Sequence, residues 1–142
     1  MKQQRAIGFE IKCLSNMIRR KLDTTFSSPE FDGLTGTQNA MMGYIMDHEE
    51  TQDIFQKDIE EEFNIRRSSA TVMLQGLEQR GYIRRTQIEK DARLKKIELT
   101  EKARKLQKRV RSEIDRFHEQ LEKDLSKEEK EVEEKLKQNM MI

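Results

Sequence analysis

The side chains best placed to do chemistry lie in the stretch Asn64 to Thr100, NIRRSSATVMLQGLEQRGYIRRTQIEKDARLKKIELT, and the chemistry is neutralisation of phosphate. Between Asn64 and Arg104 stand eleven Lys and Arg (66, 67, 80, 84, 85, 90, 93, 95, 96, 102, 104) against five acids (78, 89, 91, 98, 101). The order within this stretch is a short polar helix, a glycine stop, a basic β-hairpin and a threonine able to start another helix. That is the order of a winged helix-turn-helix, a shape that lies on duplex DNA. Catalytic sets are lacking: the chain shows no nucleophile-base-orienter group, no glycine-rich phosphate loop and no metal cluster, so no enzyme is expected. His48 beside Glu49 and Glu50 comes nearest to a metal run, but no second ligand cluster accompanies it and His118 stands alone. A solvated helix end explains His48 better, and no metal or cofactor is expected.

Composition sets the frame for these residues. With 142 residues, one proline and six glycines, the chain has room for about one domain and no stretch suited to a flexible linker. The 28 basic and 27 acidic residues nearly cancel, yet Tyr44 to Phe63 holds eight acids (47, 49, 50, 53, 58, 60, 61, 62) and only Lys57, so an acidic block precedes the basic one. Hydrophobic content of 34% against 39% charged is lean for a self-contained core but usual for long two-sided helices that finish their burial against a second subunit. Cys13 is the lone cysteine, and the N-terminal MKQQRAIGFEIK has no apolar run, so a soluble cytoplasmic protein without membrane contact is expected.

Apolar periodicity predicts the elements that must position the basic stretch. Ile7, Ile11, Leu14, Ile18, Leu22 and Phe26 form one helical stripe. After the turn formers SSPEFDGLTGT, Thr35 with Gln38 fits a capping box for a second helix running to about His48, with Ala40, Met41, Tyr44 and Ile45 inward. Thr51 is expected to cap a third helix, burying Ile54, Phe55, Ile59 and Phe63 and ending near Asn64. Ala70, Met73, Leu74 and Leu77 give the next helix its seam, and Gly81 ends it. Tyr82 to Gln87 and Lys95 to Leu99 read as the strands of a hairpin, with IEKDAR as a mobile tip. Thr100 then caps a long helix with Ala103, Leu106, Val110, Ile114, Phe117, Leu121 and Leu125 in register. Ser126 and Glu129 box a final helix carrying Val132, Leu136 and Met140.

Asp91-Ala92-Arg93 followed by Leu99-Thr100 resembles the wing signature of the MarR family, the multiple-antibiotic-resistance type of winged-helix regulators. Leu34-Thr35 with Gln38, Leu77-Glu78 with Gly81, and a layout covering nearly the whole chain extend the likeness. The expected fold is mainly α (α+β): a winged helix-turn-helix with a two-strand wing (34–100), flanked by long N- and C-terminal dimerisation helices (1–33 and 101–142) within one domain, 1–142.

The resemblance implies a homodimer joined through its terminal helices, each subunit placing one helix in a major groove of double-stranded DNA and one wing against the neighbouring minor groove. Carried onto this sequence, the seam residues Ile7, Ile11, Leu14, Ile18, Ile114, Phe117, Leu121, Val132 and Leu136 become the dimerisation surface. Arg66, Arg67, Ser68, Ser69 and Thr71 stand near a helix N-terminus, where free N–H groups and the dipole favour phosphates. Thr71 and Gln75 lie one turn apart and face base edges or phosphates, while Val72, where many relatives are basic, is suited to a thymine methyl. Arg93 is the residue expected in the minor groove, with Asp91 orienting an arginine. Arg84, Arg85, Lys90, Lys95 and Lys96 supply phosphate contacts.

The function expected is that of a sequence-specific regulator, a homodimeric repressor on a pseudo-palindromic operator, released by a small-molecule effector. Members of the family often bind small aromatic or amphipathic effectors between the DNA-binding lobe and the dimer helices, and Met42 and Met46 supply the pliable side chains such a pocket would use. Two alternatives stand beside it. One is a protein-interaction module docking through the acidic helix 47–63. The other is a redox-sensing regulator working through Cys13, since some members sense oxidants through a first-helix cysteine; burial among apolar neighbours is the simpler account of that thiol.

Overall fold

The computed structural model describes residues 6–88 and 90–141, and the chain forms two compact units, Met1–Val110 and Arg111–Ile142. The first unit opens with α1 (Ile7–Thr25), a helix built on the expected stripe, none of whose residues is fully buried. Phe26, just past its end, is buried and meets Phe31 edge to face at 4.9 Å. Phe31 belongs to a 3₁₀ turn, Pro29–Phe31, inside the run expected only as turn formers. Ser28 caps that turn by accepting from the Glu30 N–H at 3.2 Å, and Pro29 takes the first position, where its missing N–H costs nothing.

Helix α2 (Gly36–His48) starts with the capping box read from sequence: Thr35 Oγ1 accepts from the Gln38 N–H at 3.1 Å, and Gln38 Oε1 from the Thr35 N–H at 3.2 Å. It buries Met41, Met42, Ile45 and Asn39, whereas Ala40 and Tyr44 are half-buried.

The third helix departs from expectation. Helix α3 runs Gln56–Phe63, so Thr51 does not cap it; Thr51 Oγ1 instead donates to the His48 carbonyl at 3.2 Å. The start is set by Asp58, whose carboxylate accepts from the Phe55 N–H at 2.8 Å. Residues before it stay extended because the Ile54 carbonyl accepts from the Ile97 N–H at 2.7 Å, tying this segment to the hairpin. Ile54 and Ile59 are buried, while Phe55 and Phe63 are only half-buried. Asn64 ends α3 in the left-handed conformation at φ 49°, which asparagine tolerates.

Helix α4 (Arg67–Gln79) buries Ala70, Leu74 and Leu77, with Met73 half-buried. It stops as expected at Gly81, whose φ of 80° needs glycine; the Tyr82 N–H reaches the Leu77 carbonyl at 2.9 Å and the Gly81 N–H the Glu78 carbonyl at 3.1 Å, a Schellman closure. Strands β1 (Ile83–Ile88) and β2 (Asp91–Leu99) pair antiparallel from Ile83↔Leu99 to Gln87↔Lys95, and the register then jumps to Ile88↔Asp91. The expected six-residue tip is thus mostly strand, with residues 92–94 displaced from the ladder as a bulge. Glu89 lies outside the described residues.

Helix α5 (Glu101–Glu122) is capped by Thr100, whose hydroxyl accepts from the Ala103 N–H at 3.3 Å, and it buries Ala103, Leu106, Gln107 and Val110. The Glu49 carboxylate draws the end of α2 to this start, accepting from Arg104 at 2.6 Å and from the Leu99 N–H at 3.1 Å. The core of the first unit, including Met41, Ile45, Leu74, Leu77, Ile83, Leu99 and Val110, is essentially closed to solvent.

In the second unit α5 ends at Glu122 rather than near Leu125. The Ser126–Glu129 capping box then starts α6 (Lys127–Met140), with hydrogen bonds of 2.9 and 3.1 Å. The Ser126 backbone N–H, foremost, and then its hydroxyl hold the Glu129 carboxyl below its ordinary range. Helix α6 has no fully buried residue. Ile114, Phe117 and Leu136 are half-buried, and Leu121, Leu125 and Val132 are exposed.

Candidate nucleic-acid interface

The interface begins at the N-terminus of α4. Arg66, at the cap position, makes no side-chain cap hydrogen bond, so among the described residues the first-turn amides of Arg67, Ser68 and Ser69 have no side-chain cap, and all three residues are exposed. A helix start of this kind carries partial positive charge and aims its donors at an anion. Arg66 is also exposed. Along the outer face run Ser68, Val72 and Gln75, spaced three or four apart, with Val72 69% exposed. An isopropyl group so bare on a helix otherwise lined with polar residues gives this face an apolar point.

Thr71 does not stand equally free. Its half-buried hydroxyl accepts from Gln56 Nε2 at 2.9 Å, and the same amide reaches the Arg67 carbonyl at 3.4 Å. Gln56, the first residue of α3, therefore braces the first turns of α4. Sequence reading missed it because nothing in the local pattern links these two helices.

The wing separates two arginines treated as equivalent in the sequence. Side chains alternate across a strand, so Arg84 is exposed while Arg85 shares the face of buried Ile83 and is only half-exposed. Arg85 sits 3.8 Å from Glu78, and its Nε and Nη2 are buried without a hydrogen-bond partner among the described residues. It lines a cleft of about 650 Å³ between α3, α4 and the wing, together with Lys57, Arg67, Arg93, Lys95, Thr71 and the apolar Phe55 and Leu94. Lys57, absent from the sequence-predicted set, joins it because the first turn of α3 lies at this edge. Five cations face one acid, Glu60, so the cleft favours anions.

At the hairpin end the Asp91 carboxylate accepts from the Arg93 N–H at 2.9 Å and from Arg93 Nε at 3.3 Å. The backbone bond first, then the guanidinium, holds the Asp91 carboxyl below its ordinary range. Arg93 Nη2 also donates to Asp91 Oδ2 at 3.5 Å, so the aspartate orients the guanidinium itself while the side chain stays 90% exposed. Lys90 and Lys95 are exposed, and Lys96 pairs with Glu98 at 3.2 Å.

Behind α4, Tyr82 is buried and donates its hydroxyl to Asp32, and Arg80 reaches the same carboxylate at 2.9 Å. Burial, then the hydrogen bond and charge of Asp32, push the Tyr82 hydroxyl up from 10.0 to about 12. The Tyr82 bond, foremost, and the Arg80 charge hold Asp32 below the usual carboxylate range against its desolvation.

The remaining candidates are scattered. Met42 is in the core and Met46 half-buried on α2; Cys13 is half-buried on α1. His48 donates Nδ1–H to the Tyr44 carbonyl at 2.8 Å and stacks on the Tyr44 ring at 4.4 Å. Burial first, then the negative charges of Asp58, Glu62 and Glu61, raise the Tyr44 hydroxyl above its ordinary value. No helix among the described residues is long and apolar enough to cross a membrane.

Comparison with known proteins matches a model of the MarR family to residues 32–94. The chain is 34% identical to the transcription regulator MarR from Oenococcus oeni PSU-1, with a TM-score of 0.80 over 96% of this chain and 98% of that one. It is 25% identical to MepR of S. aureus in the structure of a MepR–DNA complex, with a TM-score of 0.82 over 97% of each chain. MepR in its DNA-binding conformation is 26% identical, with a TM-score of 0.80 over 96% of this chain and 97% of that one. Curated proteins gave no match.

Proposed function

This chain belongs to the MarR family of winged-helix transcription regulators, which are not enzymes, and on that premise we propose that it is a cytoplasmic homodimeric repressor of a pseudo-palindromic operator. The observation that carries the reading is the cationic cleft between α4 and the wing, lined by Lys57, Arg67, Arg85, Arg93 and Lys95. When α4 enters a major groove and the wing a neighbouring minor groove, the phosphate strand separating the grooves passes between the two elements. Arg85, with two buried nitrogens that have no hydrogen-bond partner among the described residues, is satisfied by such a phosphate, and the first-turn amides of Arg67, Ser68 and Ser69 take another.

Base reading falls to the exposed stripe. Gln75 suits a bidentate bond to adenine and Val72 the methyl of thymine, while Arg93, rooted by Asp91, enters an A·T-rich minor groove whose narrowness deepens its negative potential. Exposed apolar residues support the dimer: Ile7, Ile11 and Leu14 on α1, and Leu121 and Val132 in the second unit. A small aromatic or amphipathic effector bordered by half-buried Met46 would release the operator by changing the spacing of the two recognition helices.

Selection of duplexes from a random pool at physiological salt, with protein mass measured in solution, tests this function. An inverted repeat with half-sites about one helical turn apart, bound by a dimer, is expected. Salt-sensitive binding without sequence preference would reduce the cleft to a basic surface, and no enrichment at all would bring forward docking of a protein through residues 47–63.

A further inference from the structure

We infer that Asp32 is a positioning residue for DNA recognition, fixing the angle between α4 and the wing so that both engage their grooves at once. The inference rests on the reading above of α4 and the wing as the DNA-contacting elements. The joint between them is only Arg80, Gly81 and Tyr82, with Gly81 in the left-handed conformation that turns the chain. One carboxylate holds both residues flanking that glycine: Asp32 Oδ2 lies 2.9 Å from Arg80 Nη2 and accepts the Tyr82 hydroxyl, while the Asp32 carbonyl also accepts from Arg80.

The joint is gripped from the other side through its backbone. Thr100 Oγ1 donates to the Gly81 carbonyl at 2.6 Å, the Thr100 N–H to the Tyr82 carbonyl at 3.0 Å, and Lys102 Nζ to the Arg80 carbonyl at 2.8 Å. Lys102 also lies 4.5 Å from the centre of the Tyr82 ring. All three carbonyls of the joint are therefore fixed by the start of α5, whereas the polar ends of the side chains on either side of the turn, the Arg80 guanidinium and the Tyr82 hydroxyl, meet at the Asp32 carboxylate.

Asp32 is itself well anchored. It occupies a left-handed conformation at φ 57°, its N–H donates to the Pro29 carbonyl at 3.1 Å, and buried Phe31 and Leu34 pin the chain around it. Its carboxylate is about half exposed, so removing it opens no cavity, and an exposed ion pair contributes little to global stability. The Tyr82 hydroxyl, by contrast, is left buried without its acceptor, which a small rotation of the joint can relieve. The predicted consequence is a change in the angle between recognition helix and wing with the fold retained.

The test uses the full-length chain and the duplex that the wild type enriches from a random pool. Affinities are measured for the wild type, Asp32→Ala, Arg93→Ala and the double variant, with circular dichroism to verify folding at the assay temperature. Asp32→Ala is expected to weaken binding about tenfold; Arg93→Ala is expected to cost about tenfold in the wild type but under about threefold in the Asp32→Ala background, since a misaimed wing has little left to lose. A contact that only stabilises the fold would leave the cost of Arg93→Ala equal in both backgrounds. That result, or wild-type affinity in Asp32→Ala, overturns the inference. Should Asp32→Ala fail to fold, Tyr82→Phe, which removes one oxygen, takes its place with the same expectation and the same contrary result. A wild type that enriches no sequence would instead defeat the DNA-reading assignment, before any variant is compared.

Discussion

The winged-helix lobe and the terminal helices solve burial differently. In the lobe, α2, α4, the hairpin and the start of α5 close Met41, Ile45, Leu74, Leu77, Ile83, Leu99 and Val110 from solvent within one subunit. Helices α1 and α6 have periodic apolar seams of the same kind yet no fully buried residue. A seam therefore shows that a helix has an apolar side, but not whether its own chain supplies the partner. On the proposed function the lobe folds by itself and the terminal helices serve association, a division that single substitutions can break.

The largest effect is expected in the lobe. Leu74→Ala deletes fully buried methyl groups and should cost about 2–5 kcal/mol of unfolding free energy, read from the urea midpoint at unchanged slope. A loss as small as that of a surface change would mean that the lobe core is not the source of stability. In the second unit, Leu121→Glu places a charge on an exposed seam and should abolish the dimer while leaving helicity intact, with sedimentation velocity reporting the mass. A folded dimer of unchanged affinity would refute the division between the regions.

On the DNA face, Arg93→Ala should weaken operator binding by about 1–3 kcal/mol without altering dimer mass, since the side chain is 90% exposed at the hairpin end and supports no core. Lys57→Ala should lower affinity for all duplexes alike and reduce the salt slope by about one, by the counterion released per phosphate contact. An unchanged slope would remove α3 from the cleft's role. Thr35→Ala, which breaks the α2 capping box, should cost about 1 kcal/mol of stability, measurable as a lower thermal midpoint.

One further effect is confined to alkaline pH and belongs to Tyr82. Its hydroxyl is raised in the folded protein from 10.0 to about 12, so the stability it confers is whole below pH 10 and is lost as pH rises through about 12. Tyr82→Phe should flatten that alkaline decline in thermal midpoint, and an unaltered decline would exclude the Asp32–Tyr82 bond as its cause.

Much of this molecule was legible because its signals are local. Thr35 with Gln38, Ser126 with Glu129 and Gly81 after α4 each satisfy orphan backbone groups within one turn, so their spacing alone predicts where helices begin and end. The clustering of Lys and Arg between Asn64 and Arg104 likewise pointed to phosphate before any element was placed. The sequence by itself thus determined the order of elements, the helix caps and the sign of the interface charge.

Tertiary structure decided what depends on partners distant along the chain. Thr51 was a plausible cap until the bond from Ile97 to the Ile54 carbonyl kept that segment extended and handed the start of α3 to Asp58. Adjacent Arg84 and Arg85 have the same charge, but the pleat and the approach of α3 and α4 leave one in solvent and set the other in the cleft. Asp32 and Tyr82, 50 residues apart, meet only because the 3₁₀ turn and the Gly81 joint converge on one place. Local spacing reports bonds closed within a helical turn or along a strand; contacts between elements depend on how those elements pack, which in this chain fixed the cleft and the joint behind it.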